Sequence, residues 1–247
     1  MALADAHLVG RADELGTLAQ VLDEPDQGFS GGAIELVGEP GIGKTRLLQE
    51  LARLAETRGY LVLAGSASEL ERDLPFSVYV DALDEYIQGL EPTALASLDD
   101  DVRTELAHVF PSLSALASGR EAALQHERYR SHRAVQALLE QLAATKPLVL
   151  VLDDFHWADS ASVELLGALL RRPPGAAVLI AVAVRPRQTP ERLSTALERA
   201  HRAGTLTRLE LGALTSDESR ELLGGAVDAA AAALLFEESG GLSLIHI

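Results

Sequence analysis

The chain of 247 residues contains no cysteine, which excludes disulfide frameworks, thiolate zinc sites and cysteine nucleophiles. Positive charge is scarce: 21 Lys and Arg stand against 37 Asp and Glu, a formal net charge of −16. Such an excess of carboxylates opposes long-range attraction to nucleic acid and to anionic lipid, while leaving room for a local basic pocket that binds an anion. Long apolar runs are missing as well, since the strongest, around 148–152 and 176–184, are too short to span a bilayer. The opening residues MALADAHLVGR have neither a basic n-region nor a long apolar core, so no secretory signal is expected, and with the missing cysteine this points to the cytoplasm. No internal repeat and no G-x-S-x-G elbow occur, and the histidines lack metal-ligand spacing. What remains is an ordinary globular composition, 47% hydrophobic and 23% charged, on a chain long enough to bury a core without staples.

Short apolar runs alternate with longer stretches of helical period, the pattern of an α/β protein with a mostly parallel sheet. Strands are expected at 33–37, 60–65, 148–152, 177–184 and 205–211, and helices at 13–22, 43–58, 159–171 and 190–202. The run at 148–152 is the most apolar and is therefore expected to be the central strand. A mainly helical insertion, about 76–145, is punctuated by Pro92, Pro111 and Gly119, with its longest helix at 121–144. After Gly212 the character changes: Thr215-x-x-Glu218 reads as a capping box opening a short helix to Leu223, and an alanine-rich helix follows at 227–236. Residues 6–211 are thus expected to form one α/β domain and 212–241 the start of a small helical subdomain. The closing LSLIHI, residues 242–247, matches one reading frame of a transposon-end sequencing adapter and is read as adapter read-through.

Gly38-Glu39-Pro40-Gly41-Ile42-Gly43-Lys44-Thr45 fits G-x-x-x-x-G-K-[ST] without a mismatch, between an expected strand and an expected helix. A polyphosphate needs several converging donors; glycines let backbone N–H groups approach it, and the helix N-terminus adds positive potential. Lys44 is expected to reach the β- and γ-phosphates and the Thr45 hydroxyl to ligate Mg²⁺, with Arg46 among the residues around the nucleotide. The run Leu148-Val149-Leu150-Val151-Leu152-Asp153-Asp154 places carboxylates at the carboxyl end of a strand, where open α/β sheets bind ligands. Asp153 suits Mg²⁺ and Asp154 the orientation of an attacking water, though Asp is one methylene shorter than the Glu common there. Arg185, at the end of the fourth strand, is placed to sense a γ-phosphate if that strand lies beside the third. Arg171 and Arg172 are either arginine fingers toward a neighbouring subunit or cations at a helix C-terminus. His156 and Trp157, just after the acids and Phe155, are ambiguous between packing and function.

VGRADEL, GEPGIGKTRLLQELA, LVLVLDDFHWADSASVELL and AVAVRPR, in that order, resemble the STAND branch of AAA+ ATPases. Within it, the similarity is to the N-terminal ATPase module of large ATP-binding LuxR-type transcription regulators and related bacterial signalling ATPases. The resemblance implies a P-loop NTPase of the ASCE type, a three-layer α/β sandwich on a five-stranded, mainly parallel sheet, followed by the start of a helical lid. It implies that Val9, Gly10 and Arg11 lie against the adenine and ribose, that Arg185 holds the sensor-1 position, and that ATP or ADP with Mg²⁺ is bound. It further implies a switch driven by ATP exchange and hydrolysis that self-associates or contacts further C-terminal domains. The short Asp154 makes slow hydrolysis the expectation, and the net charge and short apolar runs oppose direct nucleic-acid or membrane binding by this part. Two other readings stay open: a non-catalytic, nucleotide-gated scaffold and a steadily cycling motor-type ATPase.

Overall fold

The computed structural model describes residues 8–23, 32–91, 94–116, 124–223 and 229–242. Five strands, β1 (Gly32–Val37), β2 (Leu61–Ser66), β3 (Leu148–Asp153), β4 (Val178–Val184) and β5 (Leu206–Glu210), form one sheet in the order β2-β3-β4-β1-β5. Every neighbouring pair is parallel, so all five carboxyl ends share one crest. The expected five-stranded α/β architecture is therefore present, with one correction. The central strand is β4, whose residues are all buried, and β3 lies between β2 and β4. Apolarity separates interior strands from edges, but both β3 and β4 are covered on two faces, so composition does not rank them.

The period-2 alternation of the interior strands sends side chains into two cores. Ile34, Leu36, Val149, Val151, Leu179 and Ala181 join α1 (Ala12–Asp23) and α2 (Lys44–Thr57) through Leu18, Leu22, Leu47, Leu48 and Leu51. Leu150, Leu152, Ile180 and Val182 face the other layer, α3 (Ser77–Gln88), α5 (Leu124–Ala143), α6 (Ser160–Arg171) and α7 (Glu191–Arg202). The insertion at 76–145 resolves into α3, α4 (Asp100–Ala107), a 3₁₀ stretch at Pro111–Leu116 and α5. Pro92, Gly119 and residues 121–123 of its expected longest helix lie outside the described residues.

Local chemistry sets the element ends. Gly43, at φ 104, turns the chain into α2, and Gly59, at φ 82, ends it, donating to the Glu56 carbonyl. The Thr215–Glu218 capping box forms in both directions at the start of α8 (Ser216–Leu223): Thr215 N and Oγ1 donate to Glu218 Oε2, and Glu218 N donates back to Thr215 Oγ1. These bonds hold the Glu218 carboxyl below its ordinary pKa. After α9 (Ala229–Ser239) the Gly241 carbonyl accepts from Leu214 N, so the segment closes on its own beginning. Of the tail 242–247, Leu242 packs partly buried against the α1–α2 core and the rest lies outside the described residues.

Gly65 in β2 shows how tightly the insertion seats on the sheet. A Cβ there would stand 2.4 Å from the Val78 carbonyl oxygen and 2.8 Å from Ala82 N, backbone atoms of α3 that cannot rotate away. Gly65→Ala is expected to cost about 1–3 kcal/mol in urea denaturation, as overpacking does. Gly16→Ala, on the exposed side of α1 with nothing within 4 Å, is expected to gain up to about 1 kcal/mol from helix propensity.

Candidate functional site

The loop between β1 and α2 is shaped by its glycines. Gly41 and Gly43 have φ of 74 and 104, and a Cβ on Gly38 would stand 2.7 Å from Ile42 Cγ2. Lys44, the first residue of α2, is buried and folds back over this loop, its Nζ donating to the carbonyls of Gly38 at 2.8 Å and Glu39 at 3.0 Å. Burial pushes its pKa down, the nearby Arg185 guanidinium adds to this, and Asp154, Asp153 and Glu39 oppose it. The loop thus holds an ammonium at its mouth that is only partly neutralised, a setting that favours a bound anion.

Thr45, one residue on, donates from Oγ1 to Asp153 Oδ2 at 2.6 Å. Asp153 ends β3, and its other oxygen accepts from Asp154 N at 2.8 Å, which fixes the carboxylate plane. The sequence therefore brings together two groups 108 residues apart, and both are hard oxygen ligands. No group of three or more His, Asp or Glu that could hold a metal ion occurs among the described residues. One hydroxyl and one carboxylate fit Mg²⁺, which keeps several waters and takes remaining ligands from phosphate oxygens.

Asp154 sits at φ 45, ψ 34, a left-handed conformation that costs a non-glycine residue about 1–3 kcal/mol and that functional loops retain. Its Oδ1 lies 3.6 Å from Arg185 Nη2 and 3.8 Å from His156 Nδ1. Arg185 leaves β4 beside β3, as the conditional placement from the sequence required. Lys44, Thr45, Asp153, Asp154 and Arg185 converge at the crest.

Arg11 is buried, and its Nη2 donates to the carbonyls of Ile42 in the phosphate loop, at 3.0 Å, and Gly212 after β5, at 2.7 Å. Nη1 pairs with Glu14 at 3.2 Å. The guanidinium is thus committed to two main-chain oxygens and one carboxylate, and the turn at Gly10 before it packs against Leu214 and Glu218. Arg46 is half-buried on α2; Arg171 and Arg172 are exposed at the end of α6, where Arg172 Nη1 lies 3.5 Å from the Tyr129 hydroxyl.

Asp159 does more than the capping its sequence position announced. It accepts from Ala161 N and Ser162 N, which caps α6, and also from Phe76 N at 3.1 Å and Ser77 N at 3.2 Å, at the start of α3. One buried carboxylate thereby ties the loop after β3 to the loop after β2. Trp157 is half-buried under the Arg72 guanidinium, 4.1 Å from its ring centroid.

His156, 1% exposed, has its pKa pushed down to about 4, by burial first and then by Arg185 and Lys44. The folded chain resists a proton that the unfolded chain accepts near pH 6.5, so the unfolded state binds more protons in that window. Stability is expected to fall by up to about 3 kcal/mol as pH drops from 6.5 toward 4, and His156→Leu is expected to flatten that part of the curve. Urea titrations at pH 7.5 and pH 4.5 measure both.

Residues 7–182 match the family model described as the AAA ATPase domain. An uncharacterised protein of Rhizobium meliloti is 30% identical over 228 residues, 86% of this chain and 21% of that protein. Among solved structures, the Orc1 protein of Aeropyrum pernix, determined with DNA, superposes with a TM-score of 0.53 at 20% identity, covering 96% of this chain and 58% of that one. Cdc6p of Pyrobaculum aerophilum gives 0.52 at 13% identity, covering 90% and 51%. The chain spans about a fifth of the length of the curated relative it matches and little more than half of these two structures. Their likeness is one of fold, whereas the family match takes in the turn at Gly10, the phosphate loop and the acidic end of β3. The chain belongs to the AAA ATPase domain family.

Proposed function

We propose that this chain is the ATP·Mg²⁺-binding, slowly hydrolysing switch module of a STAND-type regulator, in a bacterial LuxR-type or related signalling protein. The observation that carries the reading is the 2.6 Å contact between Thr45 and Asp153, which joins the phosphate loop to the acidic end of β3. In this reading residues 6–211 bind the nucleotide and 212–241 begin a helical lid. The N–H groups around Gly41 and Gly43 and the Lys44 ammonium hold the phosphates, while Val9, Gly10 and Arg11 set the turn beside the base. Glu39, Pro40, Ile42 and Arg46 complete the surroundings of the nucleotide. Mg²⁺ on Thr45 and Asp153 would neutralise charge on the terminal phosphates. Asp154 orients the attacking water and Arg185 senses the γ-phosphate.

Slow turnover is supported by the same geometry. Asp154 is short, strained at φ 45, and faces Arg185 at 3.6 Å, so the acid and the sensor engage one another. A nucleotide that draws Arg185 to its γ-phosphate differs from one that lacks that group, which is the differential interaction a two-state switch requires. The STAND assignment, the LuxR-type context and self-association rest on the motif order in the sequence.

Removing the ammonium is expected to weaken ATP binding strongly. Lys44→Ala deletes a desolvated charge partner of the phosphates, a loss of about 2–5 kcal/mol. At about 1.4 kcal/mol per decade this is roughly 30- to several-thousand-fold in Kd by calorimetry. Equal affinity in the two proteins would remove the nucleotide site from this loop. A phosphate-release assay tests hydrolysis: a single-turnover burst followed by slow cycling fits a switch, and steady rapid cycling fits a motor.

A further inference from the structure

His156 is buried at the crest, yet its polar atoms have nothing to do in the fold. Neither Nδ1 nor Nε2 has a hydrogen-bond partner, although an unpaired buried polar group costs about 1–3 kcal/mol. Its ring leans on Trp157, 5.0 Å between centroids, a contact that any aromatic ring would supply. What distinguishes a histidine here is the carboxylate it faces. Nδ1 lies 3.8 Å from Asp154 Oδ1, the same oxygen that Arg185 Nη2 approaches at 3.6 Å. Neither contact is closed to hydrogen-bond length, and Arg185 Nε is itself buried without a partner. Two donors are thus poised on one oxygen of a residue held in a strained backbone conformation.

These two donors are not equivalent. A guanidinium that turns to a terminal phosphate shares its donors between phosphate and acid, so its hold on Asp154 would weaken when orientation is needed. A neutral imidazole N–H holds a carboxylate without a full opposing charge, and so depresses its basicity less than an ion pair does. Burial keeps His156 neutral, with one ring proton to place, and a bare nitrogen lone pair against a carboxylate oxygen is repulsive.

We propose that His156 is a positioning residue for Asp154: its Nδ1–H donates to Asp154 Oδ1 and fixes that carboxylate when Arg185 turns to the nucleotide. The inference rests on the hydrolytic role given to Asp154 above. It gives a reason for a histidine, rather than a leucine or phenylalanine, at a buried position two residues after Asp154.

Two measurements on the full 247-residue chain test it. Nitrogen-15 NMR of the imidazoles, with His156→Asn assigning the resonance, reads the tautomer without any turnover. The Nδ1–H tautomer is expected in the free chain and with a non-hydrolysable ATP analogue and Mg²⁺, and Nε2–H in the analogue complex overturns the proposal. In the phosphate-release assay His156→Leu is expected to lower kcat roughly 10- to 100-fold with ATP affinity unchanged, the size of effect seen when orienting partners are removed. His156→Asn, whose amide N–H can occupy the place of Nδ1–H, is expected to recover most of that loss. Leu and Asn variants that are alike, whether both active or both impaired in step with thermal stability, overturn the positioning role even if the tautomer is as expected. Wild-type turnover separates the two readings, since its absence strikes the hydrolytic reading while the tautomer still decides whether His156 holds Asp154.

Discussion

The 2.6 Å hydrogen bond between Thr45 and Asp153 sets the distance on which the rest of the site depends. Asp153 ends β3, whereas Thr45 lies in the first turn of α2, which follows β1, and β4 runs between those two strands. With one strand between them, the register of three parallel strands decides whether the hydroxyl and the carboxylate meet. Gly32–Val37 pairs with Leu179–Val184, and Leu148–Leu152 with Val178–Val182, so a one-residue slip would turn the Asp153 side chain to the other face. The fully buried interior of β3 and β4 forbids that slip, since it would exchange the two cores. The chemistry at the crest is positioned by the apolar packing beneath it.

Charge at the crest runs against that of the whole chain. With a net charge of −16, the molecule nevertheless gathers Lys44, Arg185 and Arg11 around one loop, two of them buried. A buried cation without compensation is costly, so each leans on whatever acceptor is at hand. Lys44 takes the carbonyls of Gly38 and Glu39, Arg11 those of Ile42 and Gly212, and Arg185 the Asp154 carboxylate. Carbonyl oxygens carry only partial charge, and Lys44, unlike Arg11 with Glu14 and Arg185 with Asp154, has no carboxylate in direct contact among the described residues. Phosphate oxygens would be better partners than these for Lys44, a driving force for the proposed anion capture in an otherwise repulsive field.

What the sequence made legible follows from how local each signal is. The phosphate loop is read from eight consecutive residues, because glycine freedom, the helix start and the lysine are all encoded within one turn. The acidic strand end is nearly as local, whereas Arg185 needed β4 to lie beside β3, an adjacency the sequence left conditional. Other roles depend on partners far along the chain. Asp159 announces itself as an N-cap, but its bonds to Phe76 and Ser77 cross 83 and 82 residues. Arg11 bonds to carbonyl oxygens, which every residue carries, so no side-chain pattern marks its targets. The place of β3 in the sheet was misjudged because hydropathy reports burial and not order. His156 was conspicuous in the sequence, yet only the fold shows that Asp154 and Arg185 share its pocket.

Arg11 gives the phosphate loop a mechanical connection that side-chain chemistry alone would not. One nitrogen, Nη2, donates both to Ile42 within the loop and to Gly212 at the exit of β5. The turn before it is equally constrained, since a Cβ on Gly10 would stand 2.7 Å from the Glu218 carboxyl carbon and 2.8 Å from Leu214 Cδ2. The start of the chain, the phosphate loop and the capping box of α8 therefore meet around a single guanidinium. Shifting the segment after β5 away from the loop must break a charge-assisted hydrogen bond, about 1.5–3 kcal/mol, or drag Ile42 with it. Energies of that size would suffice to couple a change at the loop to one in the segment after β5, which is what the proposed two-state switch would need.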